Sequence, residues 1–331
     1  MKTARNQPAI YVVADNCSDD TADLARRAGA GVLERRDLTK VGKPHAIEWA
    51  MSEIGTTAFD AVVIIDADTI VQPAFLDALV DSDDVRSRAA QAYFGLSNEN
   101  ESWLSRLAGL LARVRYEGQY VLKEQAGLNC PLTGNGMCLG VEVLSRSGWA
   151  PDALTENWEL YARYTARGER IAYVRGARLF AQEARSMGQS STQRRRWQSG
   201  RHDALRTYWR AILGSRKVGW RQKLDAIAEL LEPSPVVHSA AALAFAVALA
   251  FIRTDAARAA SMIFASSVVP LALWTARAWS RSEDRLGLTL ALARAPIYAF
   301  WRIGLSALST FRREKNWKRS PRHVEGSSTE T

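Results

Sequence analysis

The sequence feature that most constrains the fold is the apolar run at residues 59–65, which stops abruptly at Asp66-Ala67-Asp68. A strand this apolar is typical of a sheet that is covered by helices on both faces. Strand and helix patterns alternate around it. The strands are at 10–14, 31–34 and 89–94, and the helices at 21–28, 45–54, 73–80 and 103–124. The alternation predicts an α/β fold with a mostly parallel sheet covered by helices, spanning residues 1–200.

Two aspartates follow strands of this predicted sheet. Asp15 comes directly after the strand at 10–14, and Asp66 follows the strand at 59–65. Ligands bind at the carboxyl ends of strands in open α/β sheets, so both residues occupy positions suited to binding. A glycine-rich loop, Thr133-Gly134-Asn135-Gly136, lies further along the chain.

The composition changes beyond Pro233. Residues 235–252 contain no acidic or basic residue except His238, which is neutral at pH 7, and residues 259–276 are uncharged. Both stretches have about the ~20-residue length of a membrane span. We expect a membrane region at 233–311, with spans near 235–252 and 259–279. Residues 286–309 carry Arg294, Pro296 and Arg302, which favours an interfacial or re-entrant helix there.

The net charge of +9 suits an anionic lipid surface, a phosphorylated substrate or nucleic acid. The basic residues are concentrated at 194–223 and 312–322, on either side of the uncharged stretches. That position favours contact with membrane lipid over nucleic acid. We therefore expect no nucleic-acid partner, a basic membrane-surface helical linker at 201–232 and a basic tail at 312–331.

The same charges predict the topology. Six Lys or Arg residues lie at 312–322, whereas the loop between the expected spans carries only Arg253 and Arg258. The positive-inside rule places the tail in the cytoplasm. Residues 1–8 show no secretory signal, and Cys17, Cys130 and Cys138 have no paired spacing. We expect a multi-pass protein of the cell (inner) membrane with a cytoplasmic catalytic domain.

Asp66 and Asp68 are the candidate metal ligands. Two carboxylates after a buried strand can hold a hard divalent cation on a diphosphate. By itself the pair is as consistent with turn capping as with a metal site. Two further segments add chemistry: Gln193-Arg194-Arg195-Arg196-Trp197 offers guanidinium and indole groups, and Thr155-Glu156-Asn157-Trp158-Glu159 offers carboxylates at a predicted helix start. A solvated basic helix and simple helix capping are the alternatives for these two segments.

In this order, the motifs resemble those of the inverting family 2 glycosyltransferases, which include cellulose, chitin and hyaluronan synthases and bacterial exopolysaccharide enzymes. Asp15 resembles the first aspartate that contacts the nucleotide, Lys43 a donor-side lysine, and Asp66 with Asp68 the DxD motif. Thr155-Glu156-Asn157 resembles the TED motif, and Gln193, Arg196 and Trp197 resemble QxxRW. The resemblance implies a GT-A fold, a UDP-sugar donor, a glycan or lipid-linked acceptor, and Mg²⁺ or Mn²⁺.

Two departures from the family pattern matter. The pattern begins with a strand and helix ahead of the first residues here, so we expect a GT-A-like sheet lacking its first strand, followed by C-terminal transmembrane and interfacial helices. The family's base is the aspartate that closes TED, whereas this chain has Asn157, which cannot accept a proton. Glu156 or Glu159 then has to serve, with Asn157 orienting the acceptor. The main alternative is an N-terminally truncated, inactive pseudo-glycosyltransferase that acts as a membrane assembly subunit.

Overall fold

The computed structural model describes residues 8–82, 84–150, 155–231 and 235–311. The strands are β1 Tyr11–Asp15, β2 Gly31–Arg35, β3 Ala61–Ile64, β4 Ile70–Val71, β5 Ala89–Leu96, β6 Met137–Gly140 and β7 Ile171–Ala181. The helices are α1 Thr21–Arg27, α2 Lys43–Ile54, α3 Phe75–Val80, α4 Trp103–Arg113, α5 Tyr120–Gln125, α6 Val141–Ser147, α7 Glu156–Arg167, α8 Met187–Gly214, α9 Trp220–Leu231, α10 Pro235–Ala250, α11 Asp255–Ser280, α12 Arg285–Ala293 and α13 Ala295–Phe311. The expected tail at 312–331 lies outside the described residues.

The prediction of a mostly parallel sheet was wrong, because the main sheet is mixed. Its order is β3-β6-β5-β7-β4, and only the β5–β7 pair is parallel. The physical reason is that β4 and β6 are too short to produce a recognisable apolar period. Both run antiparallel to their neighbours, whereas alternation along the chain predicted parallel crossovers throughout.

The strands β1 and β2 form a separate parallel pair. They connect through α1 and are not hydrogen-bonded to the five-stranded sheet within the described residues. The α/β architecture is thus confirmed in coarse form, as a curled mixed sheet with helices, while the sheet is divided into two parts.

The long helical stretch expected at 103–124 is present, but a π-helical segment at Val114–Gln119 separates α4 from α5. Segments of this kind occur frequently at functional sites. Tyr116 of this segment and Tyr120, the first residue of α5, are buried against Tyr173 of β7. The segment is therefore anchored to the sheet.

The boundary expected between residues 200 and 201 falls inside α8, which is continuous from Met187 to Gly214. Ala204 and Ile212 of this helix are buried in the main core, together with Ala226 and Leu230 of α9. A buried lysine of α5, Lys123, lies 2.8 Å from Asp225 and 3.0 Å from Glu229. The described part of the stretch 201–232 therefore packs onto the catalytic domain along one face, while Trp209, Trp220 and Leu224 are exposed, and its assignment as a basic membrane-surface linker remains a prediction.

The C-terminal helices differ in their bounds from the expected spans. α10 and α11 pack against each other as a hairpin, and α11 extends from Asp255 to Ser280. The expected single helix at 286–309 is two helices, because α12 ends before Arg294 and Pro296 lies in the first turn of α13. An ion pair of 2.9 Å between Arg106 and Asp284 ties the start of α12 to α4.

Within the described ranges, α11 by itself has the length and apolar character of a bilayer-crossing helix. The sixteen-residue α10 passes the same test only when combined with α9. Large apolar side chains of the hairpin are exposed, among them Phe245, Phe251, Met262, Ile263 and Leu273. In water such a surface would be costly, so this hairpin is a candidate for contact with lipid.

Candidate active site

The turn Asp66-Ala67-Asp68 crosses the end of the main sheet. β3 and β4 lie at opposite edges of that sheet, and the turn joins them. Asp66 and Asp68 line a cavity of about 300 Å³, and so do Asn157, Gln193 and Trp197. Residues from three distant parts of the sequence are thus brought to one space.

A buried polar network holds the loop beside this turn. The Asn135 side chain accepts a hydrogen bond from the Asp66 backbone N–H at 3.2 Å and donates to Thr69 Oγ1 at 2.8 Å. Gln91 is fully buried, donates to the Asn135 carbonyl at 2.8 Å and accepts from the Thr133 N–H at 2.8 Å. Because β3 and β6 are antiparallel, the end of one lies beside the start of the other, which is what allows these bonds.

Lys43 connects the aspartate turn to the start of α7. Its Nζ donates to Asp66 Oδ1 at 2.6 Å and to the Gly134 carbonyl at 2.6 Å, and it lies 3.7 Å from Glu156 Oε1. Gly134 has a φ of 90°, a conformation that favours glycine. One ammonium group therefore holds two carboxylates, Asp66 and Glu156, close together.

Glu156 and Asn157 are the first residues of α7, and both are buried. The Asn157 amide donates to the Leu132 carbonyl at 3.0 Å, so its side chain is held against the loop before β6. Thr155, the residue before the helix, packs against Gly200 of α8. The tight approach of α8 thus positions the start of α7.

Glu159 points to a different place. Its Oε1 accepts hydrogen bonds from Arg163 at 2.7 Å and from Tyr208 of α8 at 3.0 Å. Neither Glu156 nor Glu159 is among the residues that line the cavity, but Glu156 lies 3.7 Å from the Lys43 ammonium group that also contacts Asp66. The structure accordingly brings Glu156 to the aspartates and leaves Glu159 in an interhelical contact.

The helix α8 contributes a different set of arginines from the set that the motif indicates. Gln193 and Trp197 line the cavity, and Trp197 is 37% exposed. Arg196 is half-buried and lies outside the lining, whereas Arg194 and Arg201 belong to it. Spacing along one helix explains this, because residues three and four apart share a face.

Asp15 also lies outside the cavity lining. It accepts a hydrogen bond from Arg35 at 2.7 Å, and Arg35 also contacts Asp37 at 2.8 Å. Hydrogen bonds from Thr39 and Lys40 lower the pKa of the Asp37 carboxyl to about 2, so it remains ionised. These contacts build the loops at the ends of β1 and β2, and the assignment of Asp15 to the nucleotide remains a prediction.

The donor set at the aspartate turn fits a metal that binds together with a diphosphate. Among the described residues, no group of three or more His, Cys, Asp or Glu side chains could hold an ion alone. Asp66 and Asp68 supply two carboxylates at the cavity wall, and Mg²⁺-type sites typically use one or two carboxylates plus phosphate oxygens. The residues present fit such a shared site.

Several residues of the site were not found from the sequence. Gln91 is the one polar side chain in the strand pattern at 89–94 apart from Tyr93, and that anomaly was its signal. Asn135 was noted only as part of a loop. Arg115 of the π-helical segment and Arg302 of α13 also line the cavity, and no local pattern marks them.

Two carboxylates at the end of a mixed sheet, a lysine beside them and a closing helix with Gln and Trp define an α/β enzyme of the GT-A class. Residues 2–200 match the family described as glycosyltransferase like family 2. The match covers more than half of the chain, which therefore belongs to this family and is a glycosyltransferase.

The structural comparison supports the same fold. The mannosyltransferase PcManGT from Pyrobaculum calidifontis, in complex with GDP-Man and Mn²⁺, matches with a TM-score of 0.52 and 18% sequence identity. The match covers 95% of this chain and 81% of that one. Among curated proteins, none matches this sequence. The likeness extends over the C-terminal helices as well as the sheet domain.

Proposed function

We propose that the protein transfers a sugar, with inversion, from a nucleotide-sugar donor to a glycan or lipid-linked acceptor, in a metal-dependent reaction. The observation that carries the proposal is the ion-paired group in which Lys43 joins Asp66 to Glu156. This group supports the proposal because the aspartate turn, to which we assign the diphosphate, lies next to a carboxylate from another segment. Inverting transfer needs both, since one side stabilises the leaving group and the other activates the acceptor.

Asp66 and Asp68 hold the donor side of the reaction. A divalent ion, Mg²⁺ or Mn²⁺, held there with the donor would neutralise the diphosphate as it leaves. Lys43 Nζ lies 2.6 Å from Asp66 Oδ1. If a metal bound this carboxylate, the ammonium group could contact a diphosphate oxygen instead. The same lysine then adds a second positive charge to the departing group.

Glu156 serves as the base. It would take the proton from the acceptor hydroxyl while that oxygen attacks the anomeric carbon from the face opposite the diphosphate. Its burial at the start of α7 limits water at this point, and the amide of Asn157 is positioned to orient the acceptor. The contacts of Glu159 with Arg163 and Tyr208 favour a structural role for that residue.

Two nucleotide-sugar donors are candidates, and binding experiments can distinguish them. The family resemblance favours a UDP-sugar, and the GDP-Man bound to the structural neighbour makes a guanosine donor the second candidate. Gln193 and Trp197 close the cavity from α8, with Trp197 available to stack on a sugar or base. Arg196 has a supporting role next to this wall.

We further propose that the α10–α11 hairpin attaches the enzyme to the cell membrane with the catalytic domain in the cytoplasm. The exposed apolar surface of the hairpin supports this, as do the basic residues that flank it in the sequence. A membrane-bound enzyme of this family fits the synthesis of cell-surface or extracellular polysaccharide.

The direct test is nucleotide binding by the Asp68→Ala variant. We expect wild-type protein to bind UDP or GDP more tightly with Mn²⁺ than with EDTA, and Asp68→Ala to lose that metal-dependent increment. Asp23→Ala, which removes an exposed carboxylate with only a surface ion pair to Arg26, is the matched control and should bind like wild type. Undiminished metal-dependent binding by Asp68→Ala would reject the assignment.

A further inference from the structure

The π-helical segment borders two separate cavities. Arg115 and Tyr116 line the active-site cavity, whereas Val114 and Glu117 line a second cavity of about 270 Å³. Much of the remaining wall of this second cavity comes from the C-terminal end of α11 and from the loop between α11 and α12. Among the described residues, none lines both cavities. We call the second one the junction cavity, because it lies between the sheet domain and the helix with bilayer-crossing character.

The wall formed by α11 packs tightly onto the π-helical segment. A methyl group built at Gly118 would lie 2.8 Å from two atoms of the Trp274 indole ring, which is closer than carbon atoms normally pack. The Arg277 guanidinium lies over the same ring, 5.5 Å from its centre. The indole is therefore held in place by protein groups before any ligand binds.

The junction cavity lies at the end of the uncharged part of α11. Residues 259–276 carry no charge, and Arg277 is the first charged residue after them. Leu273, just before this point, is 65% exposed. Trp274 and Trp279 lie at the same end of the helix, and tryptophan is enriched where membrane hydrocarbon meets water. The proposed membrane attachment therefore places the junction cavity at the level of the lipid head groups.

Two arginines of this wall have no carboxylate partner among the described residues. Arg277 and Arg281 both line the cavity, and both are exposed. They lie four residues apart at the end of α11, a spacing that puts both side chains on one face of a helix. Guanidinium groups bind phosphate oxygens bidentately. The pair is suited to one phosphate group.

Two carboxylates of the same cavity are also left without a strong partner. Glu283, in the loop before α12, is exposed and makes no ion pair within the described ranges. Glu117 accepts a long hydrogen bond of 3.4 Å from the Tyr93 hydroxyl and lies 4.0 Å from Arg178. These carboxylates can accept hydrogen bonds from a cationic group of a ligand.

The other charged side chains of the lining are paired within the protein. Arg113 lies 2.5 Å from Glu99, and Asp284 lies 2.9 Å from Arg106. These pairs connect α4 to the elements on either side of the cavity. The charges that remain for a ligand are two guanidinium groups and two carboxylates, so a ligand that carries both an anion and a cation fits best.

We propose that the junction cavity binds the head group of a phosphatidylethanolamine-type phospholipid. Its phosphate contacts Arg277 and Arg281, and its ammonium group donates hydrogen bonds to Glu117 and Glu283. A primary ammonium suits this site better than a quaternary one, because only the primary group has N–H donors for carboxylates. The indole ring that could hold a quaternary group is already packed against protein groups. This lipid is neither donor nor acceptor, and the inference rests on the membrane attachment in the proposed function.

The test measures binding of radiolabelled dihexanoylphosphatidylethanolamine to the full-length protein in amphipol. We expect saturable binding that the unlabelled lipid displaces, whereas the choline and glycerol lipids of the same chain length need at least about tenfold higher concentrations. Free phosphoethanolamine should also need higher concentrations, because it lacks the chains that lie along α11. Equal displacement by either of the other lipids would overturn the proposed recognition of the ammonium group. Equal displacement by phosphoethanolamine would assign the cavity to a soluble ligand and overturn the lipid proposal.

Two variants test the two charges separately. Arg281→Gln should weaken binding of the probe about tenfold or more, the loss typical of a charge-assisted contact. Glu283→Gln should lower the preference for the ethanolamine lipid over the anionic glycerol lipid by about tenfold, because a partner of the ammonium group is lost. Arg258→Gln and Asp255→Asn alter an exposed ion pair at the other end of α11, outside the cavity lining, and should bind like wild type. Unchanged affinity and unchanged preference in the two test variants would overturn the proposal.

Further measurements separate this inference from the proposed function. Thermal unfolding close to that of wild type shows that the variants are folded. Retention of wild-type protein in carbonate-washed membranes tests the membrane attachment, and its loss from them would contradict that attachment. Retention without selective binding of the ethanolamine lipid would overturn this inference alone. Absence of metal-dependent nucleotide binding in wild type contradicts the proposed sugar transfer and leaves the lipid result to stand separately.

Discussion

Replacing Gly200 by alanine tests how the fold positions the catalytic carboxylate. A methyl group built at Gly200 would lie 2.7 Å from Thr155 Cβ, and closer still to its Oγ1. Rotation of the Thr155 side chain cannot move its Cβ, and ordinary carbon–carbon contact needs about 3.5–4.0 Å. The start of α7 and the middle of α8 must therefore separate by about 1 Å.

This separation has a stability cost and a larger catalytic cost. Overpacking of this kind typically costs about 1–3 kcal/mol of unfolding free energy. Because Glu156 directly follows Thr155, it moves as well, and a misplacement of about 1 Å can lower turnover by about 100-fold. Thermal unfolding and turnover, measured below the unfolding transition, separate the two effects.

Two further variants make the test specific. Gly214→Ala alters a glycine at the other end of the same helix, where nothing lies within 4 Å of an added methyl group, and should change neither quantity appreciably. The double variant Thr155→Gly with Gly200→Ala removes the clashing atoms and should recover much of the stability. Wild-type turnover in a destabilised Gly200→Ala protein would refute the reasoning that this contact positions Glu156.

Two other predictions concern the site and the membrane. Asn157→Asp should not raise activity above that of wild type, because the substitution removes the amide donor to the Leu132 carbonyl and costs about 1–3 kcal/mol in unfolding experiments; an Asn157→Asp variant more active than wild type would contradict this. A tag placed after Thr331 should be inaccessible to membrane-impermeant reagents in intact cells, and labelling there would reverse the proposed topology.

The aspartate turn could be predicted from the sequence because its signal is local. An apolar strand followed by Asp66 and Asp68 needs no knowledge of distant residues. Asn135 is different, since its contact with Asp66 depends on the antiparallel pairing of β3 with β6. β6 is only four residues long, so the sequence carried no period from which that pairing could be read.

The choice between Glu156 and Glu159 shows a similar limit. Both lie in the first turn of α7, and helix geometry alone allowed either to face the substrate. The packing of α8 decides their surroundings, because Tyr208 reaches Glu159 while Lys43 approaches Glu156. Such contacts are set by tertiary structure and have no counterpart in the local sequence.

The cavity arginines are the least predictable part. Arg302 lies in a segment that we predicted, from the sequence, to be an interfacial or re-entrant helix. In such a helix, a charged residue is usually interpreted as an anchor at the membrane surface. The fold instead buries it opposite Arg194 and Arg201. Only the packing of α13 on α8 brings them into one cavity.

The central claim is that Glu156, held by Lys43 beside the aspartate turn, is the base of a sugar transfer. Turnover and donor binding should be measured in Glu156→Gln and in Glu159→Gln. We expect Glu156→Gln to lower turnover by about two to four orders of magnitude, the range for loss of a general base, with donor affinity nearly unchanged. Glu159→Gln should stay near wild type. Loss of turnover in Glu159→Gln alone, or in neither variant, would contradict the account.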